Sequence, residues 1–254
     1  MHPLIEISND LVPPNNLLFD GSGSKEEFVT LGNGFLWNML VARARLMPSH
    51  SVLDIGSGNG QKARPLTTYL NGSGRYVGFD IVLEGVEWCK ANYKPFPNFH
   101  FDHADLISDW YNKSAGMSGV NYQFPYEADQ FHVAFMASVV THLLPAELEN
   151  YLAQTFRVLK KGGCLLATCY LVNDINCGNH SALVQGRTFS PYKLDSCWVL
   201  DINSPSCGVA YDEFYLRRIC KRNGFVVSEI TFGTWSNGVD RLSALQDSVL
   251  LVKG

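Results

Sequence analysis

The chain has 254 residues, of which 46% are hydrophobic and 17% charged, with a formal net charge of −4. That length suits one α/β domain of roughly 200–250 residues, with a core large enough to need neither disulfides nor metals. The mild acidity excludes a protein that grips nucleic acid through its phosphates, because no basic stripe is visible and Lys160-Lys161 and Arg217-Arg218 are isolated pairs.

Residues 1–24, with Pro13-Pro14, Asn15-Asn16 and Gly21-Ser22-Gly23-Ser24, read as an irregular arm. A helix begins near Ser24, with Glu27 in capping-box register, and carries Phe28, Leu31, Phe35, Leu36 and Met39 on one side. Ser51–Ile55 is the first strand. A glycine-rich turn and a helix bearing Ala63, Leu66 and Leu70 follow, ended by Asn71-Gly72. Tyr76–Ile81 is the second strand, and the next helix carries Leu83, Val86, Cys89 and Tyr93. Phe99–Phe101 is a short third strand. Residues 107–130, rich in aromatics, then interrupt the alternation. Phe131–Met136 is nearly all apolar apart from His132, as a strand covered on both faces should be. A helix starts near Pro145, a favoured first-turn residue, with Leu148, Leu152, Phe156 and Leu159 on one face. Gly162-Gly163 opens a fifth strand, Cys164–Leu171, and residues 172–210 are a second irregular insertion. Asp212–Arg222 is a helix closed by Asn223-Gly224, and the strands Phe225–Thr231 and Ser248–Val252 form an antiparallel hairpin.

Strands alternating with helices of about a dozen residues indicate βαβ units and a parallel sheet. The pattern predicts a single domain over residues 25–254. Long irregular connections in compact domains tend to be lids or binding loops. In open α/β sheets ligands bind beyond the carboxyl ends of the strands, so both insertions begin on the functional edge. The seven cysteines are odd in number and form no C-x-x-C, which fits reduced, buried thiols better than a disulfide framework or a zinc site. Met1–Glu6 lacks the basic start and long apolar run of a signal peptide, and no apolar stretch approaches the roughly 18 residues that cross a bilayer. The expectation is a cytoplasmic protein with no membrane partner.

The most informative stretch is Val52-Leu53-Asp54-Ile55-Gly56-Ser57-Gly58-Asn59-Gly60, a strand ending in an acid, then glycines at every second position. That order predicts a turn with bare backbone N–H groups and room for a ligand. The dinucleotide fingerprint G-x-G-x-x-G requires its third glycine where this chain has Gln61, which disfavours a nicotinamide oxidoreductase. Asp80 closes the second strand 26 positions after Asp54, near the spacing at which an acid accepts from a ribose diol.

The acid followed by G-x-G-x-G resembles motif I of the class I S-adenosylmethionine-dependent methyltransferases. Asp80, Asp105 and the Leu159-Lys160-Lys161-Gly162-Gly163 turn follow in that family's order, so the resemblance covers roughly residues 50–171. It implies a Rossmann-like, seven-stranded, mostly parallel sheet of order 3-2-1-4-5-7-6 whose last strand is antiparallel, with helices on both faces. It implies S-adenosylmethionine as cofactor and S-adenosylhomocysteine as product. It implies cofactor-binding roles for Asp54, Gly56, Ser57, Gly58 and Gly60 at the methionine part and for Asp80 and Ile81 at the ribose. Asp105 and Leu106 would meet the adenine, and Ser138 would also lie on the cofactor.

In this fold the loop after the fourth strand lies beside the cofactor's methyl group. Here it reads Ala137-Ser138-Val139-Val140-Thr141-His142-Leu143-Leu144-Pro145. The Asn/Asp-Pro-Pro-aromatic motif of many N-methyltransferases is absent. The segment is similar to the S-V-x-T-H-L form of bacterial methyltransferases of small molecules and sugars. Methyl transfer to a hydroxyl needs a base, and imidazole, with an ordinary pKa near 6.5, suits that work near neutrality. His142 is the candidate catalytic residue. Tyr111, Tyr122, Tyr126 and Trp235 would suit a pocket for a sugar ring or a flat apolar substrate. No metal is called for, since Glu127 and Asp129 lack a third ligand and His100 and His103 fit no ligand spacing. The expectation is a methyltransferase acting on the hydroxyl oxygen of a small molecule, a sugar or polyol among them. Transfer to nitrogen or carbon, and a cofactor-binding protein without transferase activity, are the alternatives.

Overall fold

The computed structural model describes residues 11–19, 21–173, 188–192, 194–236 and 245–254. The chain divides into two compact units, one made of Met1–Asp105 with Phe131–Val133 and the other of Leu106–Gln130 with Ala134–Gly254.

In the first unit the expected irregular arm is ordered where it is described. Leu11 is buried, and Asn15–Leu17 forms a 3-10 turn whose last carbonyl accepts from the Asn59 side chain. Residues 1–10 and 20 of that arm lie outside the described residues. Ser24 caps helix α1 (Lys25–Gly34), its Oγ accepting from the Glu27 N–H at 3.1 Å. The Glu27 carboxylate reaches back one residue further than a capping box requires, to the Gly23 N–H at 2.7 Å. The helix continues as a π-helical segment, Phe35–Val41, which buries Leu36, Met39 and Leu40.

Strand β1 (Ser51–Ile55), helix α2 (Ala63–Tyr69), strand β2 (Arg75–Asp80), helix α3 (Leu83–Asn92) and strand β3 (Phe99–His103) follow in chain order. β1 pairs parallel with β2 and β2 with β3, Leu53 lying opposite Val77 and Gly78 opposite Phe101. Val52, Leu53, Ile55, Val77 and Phe79 are fully buried, as strands covered on both faces require. Tyr76 stacks on Phe99 at 5.0 Å between ring centroids, and Tyr93 from the end of α3 meets Phe101 at 4.8 Å. Strand β4 is Phe131–Met136, matching its expected bounds.

The second unit continues with helix α4 (Pro145–Val158), strands β5 (Leu159–Cys169), β6 (Leu171–Val172), β7 (Ser190–Tyr192), β8 (Leu194–Val199) and β9 (Val209–Asp212), helix α5 (Glu213–Arg222), and strands β10 (Phe225–Thr231) and β11 (Asp247–Lys253). β5 starts at Leu159, earlier than the glycine pair predicts, because Gly162 at φ +74° is absorbed inside the strand. β11 runs antiparallel to both β5 and β10. Buried Asp247 fastens its start, accepting from the N–H groups of Leu171 at 2.7 Å and Gly233 at 2.8 Å.

The large sheet has the order β10-β11-β5-β4-β1-β2-β3. Read from the β3 edge it is the expected 3-2-1-4-5-7-6, with β11 and β10 in the seventh and sixth places. The second insertion differs from expectation. Instead of an irregular loop it supplies most of a separate four-stranded sheet, β6-β9-β8-β7, although residues 174–187 lie outside the described residues. The first insertion is a loop, folded by an Ile107 N–H bond to the Met117 carbonyl at 2.8 Å and by a 3-10 turn, Gly119–Asn121. Asn150 and Arg157 of α4 hold its later part through the carbonyls of Gly119, Tyr122, Phe124 and Tyr126. Cys89, Cys164, Cys169, Cys197 and Cys220 are buried free thiols, and Cys177 falls outside the described residues. Among the described residues no helix is long and apolar enough to cross a membrane.

Candidate functional site

The glycine-rich turn after β1 is built by three left-handed residues, Gly56 at φ +82°, Gly58 at +54° and Gly60 at +85°. Side-chain-bearing residues rarely adopt that conformation, which is why the run is glycine at every second position. The expectation of bare amides does not hold. The N–H groups of Gly56 and Ser57 both donate to the Phe79 carbonyl at 2.9 Å, that of Gly60 to the Ser57 carbonyl at 3.0 Å, and that of Gly58 to Asp80 at 2.7 Å. The turn spends these donors on bracing itself against the end of β2.

What the turn leaves over is in its side chains. Asp54 Oδ1, Ser57 Oγ, Asn59 Oδ1 and Gln61 Nε2 are buried polar atoms with no hydrogen-bond partner. Four such atoms within eight residues is unusual, since buried polar groups are nearly always satisfied. Two are acceptors, one is a donor and one is a hydroxyl. That set matches the ammonium and carboxylate of an amino acid. Asn59, inside the glycine run, was passed over by sequence reasoning, and Gln61, directly after it, was read only as the missing third glycine of a dinucleotide fingerprint.

Asp54 is buried, and burial raises its pKa from 3.8 to about 7 despite the hydrogen bond at 2.7 Å from the Tyr76 hydroxyl and the attraction of Lys62. The same burial drives the Tyr76 phenol well above its ordinary value, so Tyr76 stays a donor. Asp80 holds two backbone amides, Gly58 on Oδ2 and Val82 on Oδ1 at 2.8 Å. Burial raises its pKa as well, with those amides pulling the other way. The Ile81 N–H bears on the same carboxylate, whose roughly four acceptor sites leave room to accept from a ribose hydroxyl. Ile81 beside it is half-buried, its carbonyl 3.4 Å from His103 Nε2. Asp105 is exposed.

In the second unit, Leu106 is buried and bridges to Met117. Ser138, just past β4, is a non-glycine residue at φ +61°. Its strain is held by the Thr168 hydroxyl, which accepts the Ser138 N–H at 2.7 Å, and by Gln246, which accepts from both hydroxyls. His142 ends a 3-10 turn, Val140–His142. Its Nδ1 lies 2.8 Å from the Ser206 carbonyl and its Nε2 3.4 Å from the Tyr111 hydroxyl. The two rings meet edge to face at 5.1 Å. A carbonyl can only accept, so Nδ1 carries the proton and Nε2 is the basic atom. Burial lowers the His142 pKa below 6.5, with the Ser206 carbonyl opposing that shift.

The structure therefore brings Tyr111 to His142. It places the other aromatic candidates elsewhere. Tyr122 leans on Phe124 at 5.7 Å, and its carbonyl and that of Tyr126 are tied to α4. Trp235 is buried in a cluster with Tyr170 and Phe189, its indole N–H donating to the Leu171 carbonyl at 3.1 Å. Among the described residues no three His, Cys, Asp or Glu side chains gather as a metal site would need.

Residues 52–163 match a family model described as a methyltransferase domain. Among the solved structures that resemble this chain, three cover 85–98% of it. The PH0226 protein from Pyrococcus horikoshii OT3 superposes with a TM-score of 0.62 at 14% identity, covering 94% of this chain and 95% of that one. A structure of the complex formed by the Haloferax volcanii Trm112 methyltransferase activator gives 0.59 at 14% identity, covering 98% of each chain. The 1,6-didemethyltoxoflavin-N1-methyltransferase of Burkholderia thailandensis, bound to 1,6-didemethyltoxoflavin and S-adenosylhomocysteine, gives 0.53 at 12% identity, covering 85% of this chain and 74% of that one. At such identities the likeness is one of fold.

Proposed function

We propose a reaction for this chain on the premise that it is a class I S-adenosylmethionine-dependent methyltransferase, with its methyltransferase domain at residues 52–163. We infer that residues 25–254 act as one catalytic domain and that the methyl acceptor is a hydroxyl oxygen of a small molecule, for which a sugar or polyol is a candidate. When bound, the cofactor supplies an electrophilic methyl group on a sulfonium sulfur. Asp54, Ser57, Asn59 and Gln61 would hold its amino-acid end, Asp80 its ribose, and Asp105 with the Leu106 N–H its adenine.

The observation that carries the reading is the environment of His142. Its Nδ1–H is engaged by the Ser206 carbonyl, and burial keeps the ring neutral near pH 7. A neutral imidazole whose Nε2 lone pair meets the Tyr111 hydroxyl at a long 3.4 Å can take the acceptor's proton once a substrate hydroxyl displaces that contact and its oxygen attacks. The resulting imidazolium keeps its Nδ1–H bond to Ser206, so the ring need not move to hold the charge.

H142A should lower kcat by about 10²–10⁴-fold, the usual worth of a general base, while titration calorimetry finds its affinity for S-adenosylmethionine unchanged. Near-normal turnover would remove His142 from the chemistry. With the ring's pKa below 6.5, the acid limb of the kcat profile should lie below pH 6.5. A screen that releases S-adenosylhomocysteine with amines and not with hydroxyl compounds would assign nitrogen as the acceptor instead. Binding with no turnover on any acceptor would mark a cofactor-binding protein.

A further inference from the structure

We propose that Asp109 is a positioning residue for His142, acting through Ser206. The inference rests on His142 as the base and extends that site into the first insertion.

Imidazole has two tautomers, and only the one protonated on Nδ1 leaves Nε2 free for a substrate proton. Here the tautomer is selected by one backbone carbonyl, that of Ser206, on the loop between β8 and β9. A loop carbonyl selects a tautomer only while the loop itself is held. Ser206 is buried in a short 3-10 turn, Pro205–Cys207. Its N–H donates to Asp109 Oδ1 at 3.2 Å, and its hydroxyl makes a short hydrogen bond to the same oxygen. The Ser204 hydroxyl donates to that oxygen as well, at 3.4 Å. One carboxylate oxygen thus gathers three donors from this turn, and hydrogen bonds to a charged acceptor are roughly twice as strong as neutral ones.

The other end of the contact is also built. Ser108 Oγ lies 3.2 Å from Ser206 Oγ and accepts the N–H groups of Trp110, at 3.3 Å, and Tyr111, at 3.2 Å. That turn aims Asp109 at Ser206 and places Tyr111 beside His142 Nε2. The same few residues therefore fix one imidazole nitrogen directly and frame the other. Glu147 is the second acid near Asp109. Burial raises its pKa, Asp109 adds to the rise, and it accepts the Leu144 N–H at 3.1 Å.

The test is the histidine tautomer itself, read by long-range ¹H–¹⁵N correlation on the labelled full chain, with His142 identified by the signal missing in H142Q. The wild type should show Nδ1 protonated and Nε2 bare. D109A should move His142 to a mixture of tautomers or to the Nε2-protonated form. It should also lower kcat by about tenfold or more, a share of the 10²–10⁴ that a base supplies, with the acceptor KM little changed. D109N keeps one acceptor oxygen and should fall between the two. It and S206A, which keeps the carbonyl, carry the test if D109A does not fold. A His142 tautomer unchanged in D109A, or in D109N should that be the folded variant, overturns the inference. Full turnover of H142A would defeat the base reading alone, because the tautomer shift in the Asp109 variants is scored without activity.

Discussion

A carboxyl in the position of Asp54 makes stability depend on pH in a direction opposite to that of a salt-bridged acid. Its folded pKa, about 7, lies above the unfolded 3.8, so between those values the folded state binds the extra proton. Stability associated with this group is present below the unfolded value and is lost as pH rises toward 7. D54N has nothing to ionise, so its stability relative to wild type should improve as pH is raised across that window. Urea midpoints of both proteins at about pH 4 and about pH 7.5 would show it. A difference that stays flat with pH would mean that Asp54 is not held in the protonated range. A side chain with this behaviour costs stability at neutral pH, which is the usual mark of a residue kept for binding. At this scale the positions of the acids proposed for the site were legible in the sequence, because strand ends and glycine spacing locate Asp54 and Asp80, both of them buried. The hydrogen bonds of Asp109 were not. They join residues 97 apart in the chain through a loop with no periodicity, and no local pattern records such a pairing.

Among the elements, helix α5 and strand β10 meet at a position that accepts one residue type. Gly224 has φ +90°, and a β-carbon there would lie 2.7 Å from the Phe156 ring of α4. Phe156 in turn meets Phe225 edge to face at 5.2 Å, so the ring cannot withdraw without loss. G224A therefore combines backbone strain with overpacking and should cost about 1–3 kcal/mol. The urea midpoint should fall at an unchanged m-value; an unshifted midpoint would show that the ring yields freely. Helices and central strands could be read from the chain because their periodicity is strong and their caps, Ser24, Pro145 and the Asn223-Gly224 pair, are local. The second sheet escaped notice for a physical reason. β6, β7 and β9 have two to four residues each, too short for alternation to register, and their pairing is set by partners distant in sequence.

For the molecule as a whole, a ligand that binds only the folded chain adds its binding energy to stability. S-adenosylhomocysteine at a hundredfold excess over its Kd should stabilise the wild type by about 2.7 kcal/mol. In a chain of this size that is a rise in Tm of about 5–10 °C. D80A, which loses the proposed ribose acceptor and the brace on Gly58, should lose most of the rise; an equal rise in D80A would place the ribose elsewhere. The order of the strands in the large sheet was implied by the family resemblance of the glycine run and the acids that follow it, because pairing partners distant in sequence leave no local pattern. Alternating strands and helices made a mostly parallel sheet legible, and the final hairpin its reversed strand. That reversal bears on how the protein is made. β11 is the last strand of the sheet to be synthesised, yet it sits between β5 and β10. Until it emerges from the ribosome, β5 has an open hydrogen-bonding edge next to the buried side chains Leu165 and Leu166, and β10 has no neighbour. From the completion of β5 at Cys169 until β11 at Asp247–Lys253 is made, the chain therefore carries a sticky, unpaired edge. It is then that the protein is most exposed to aggregation and most in need of a chaperone.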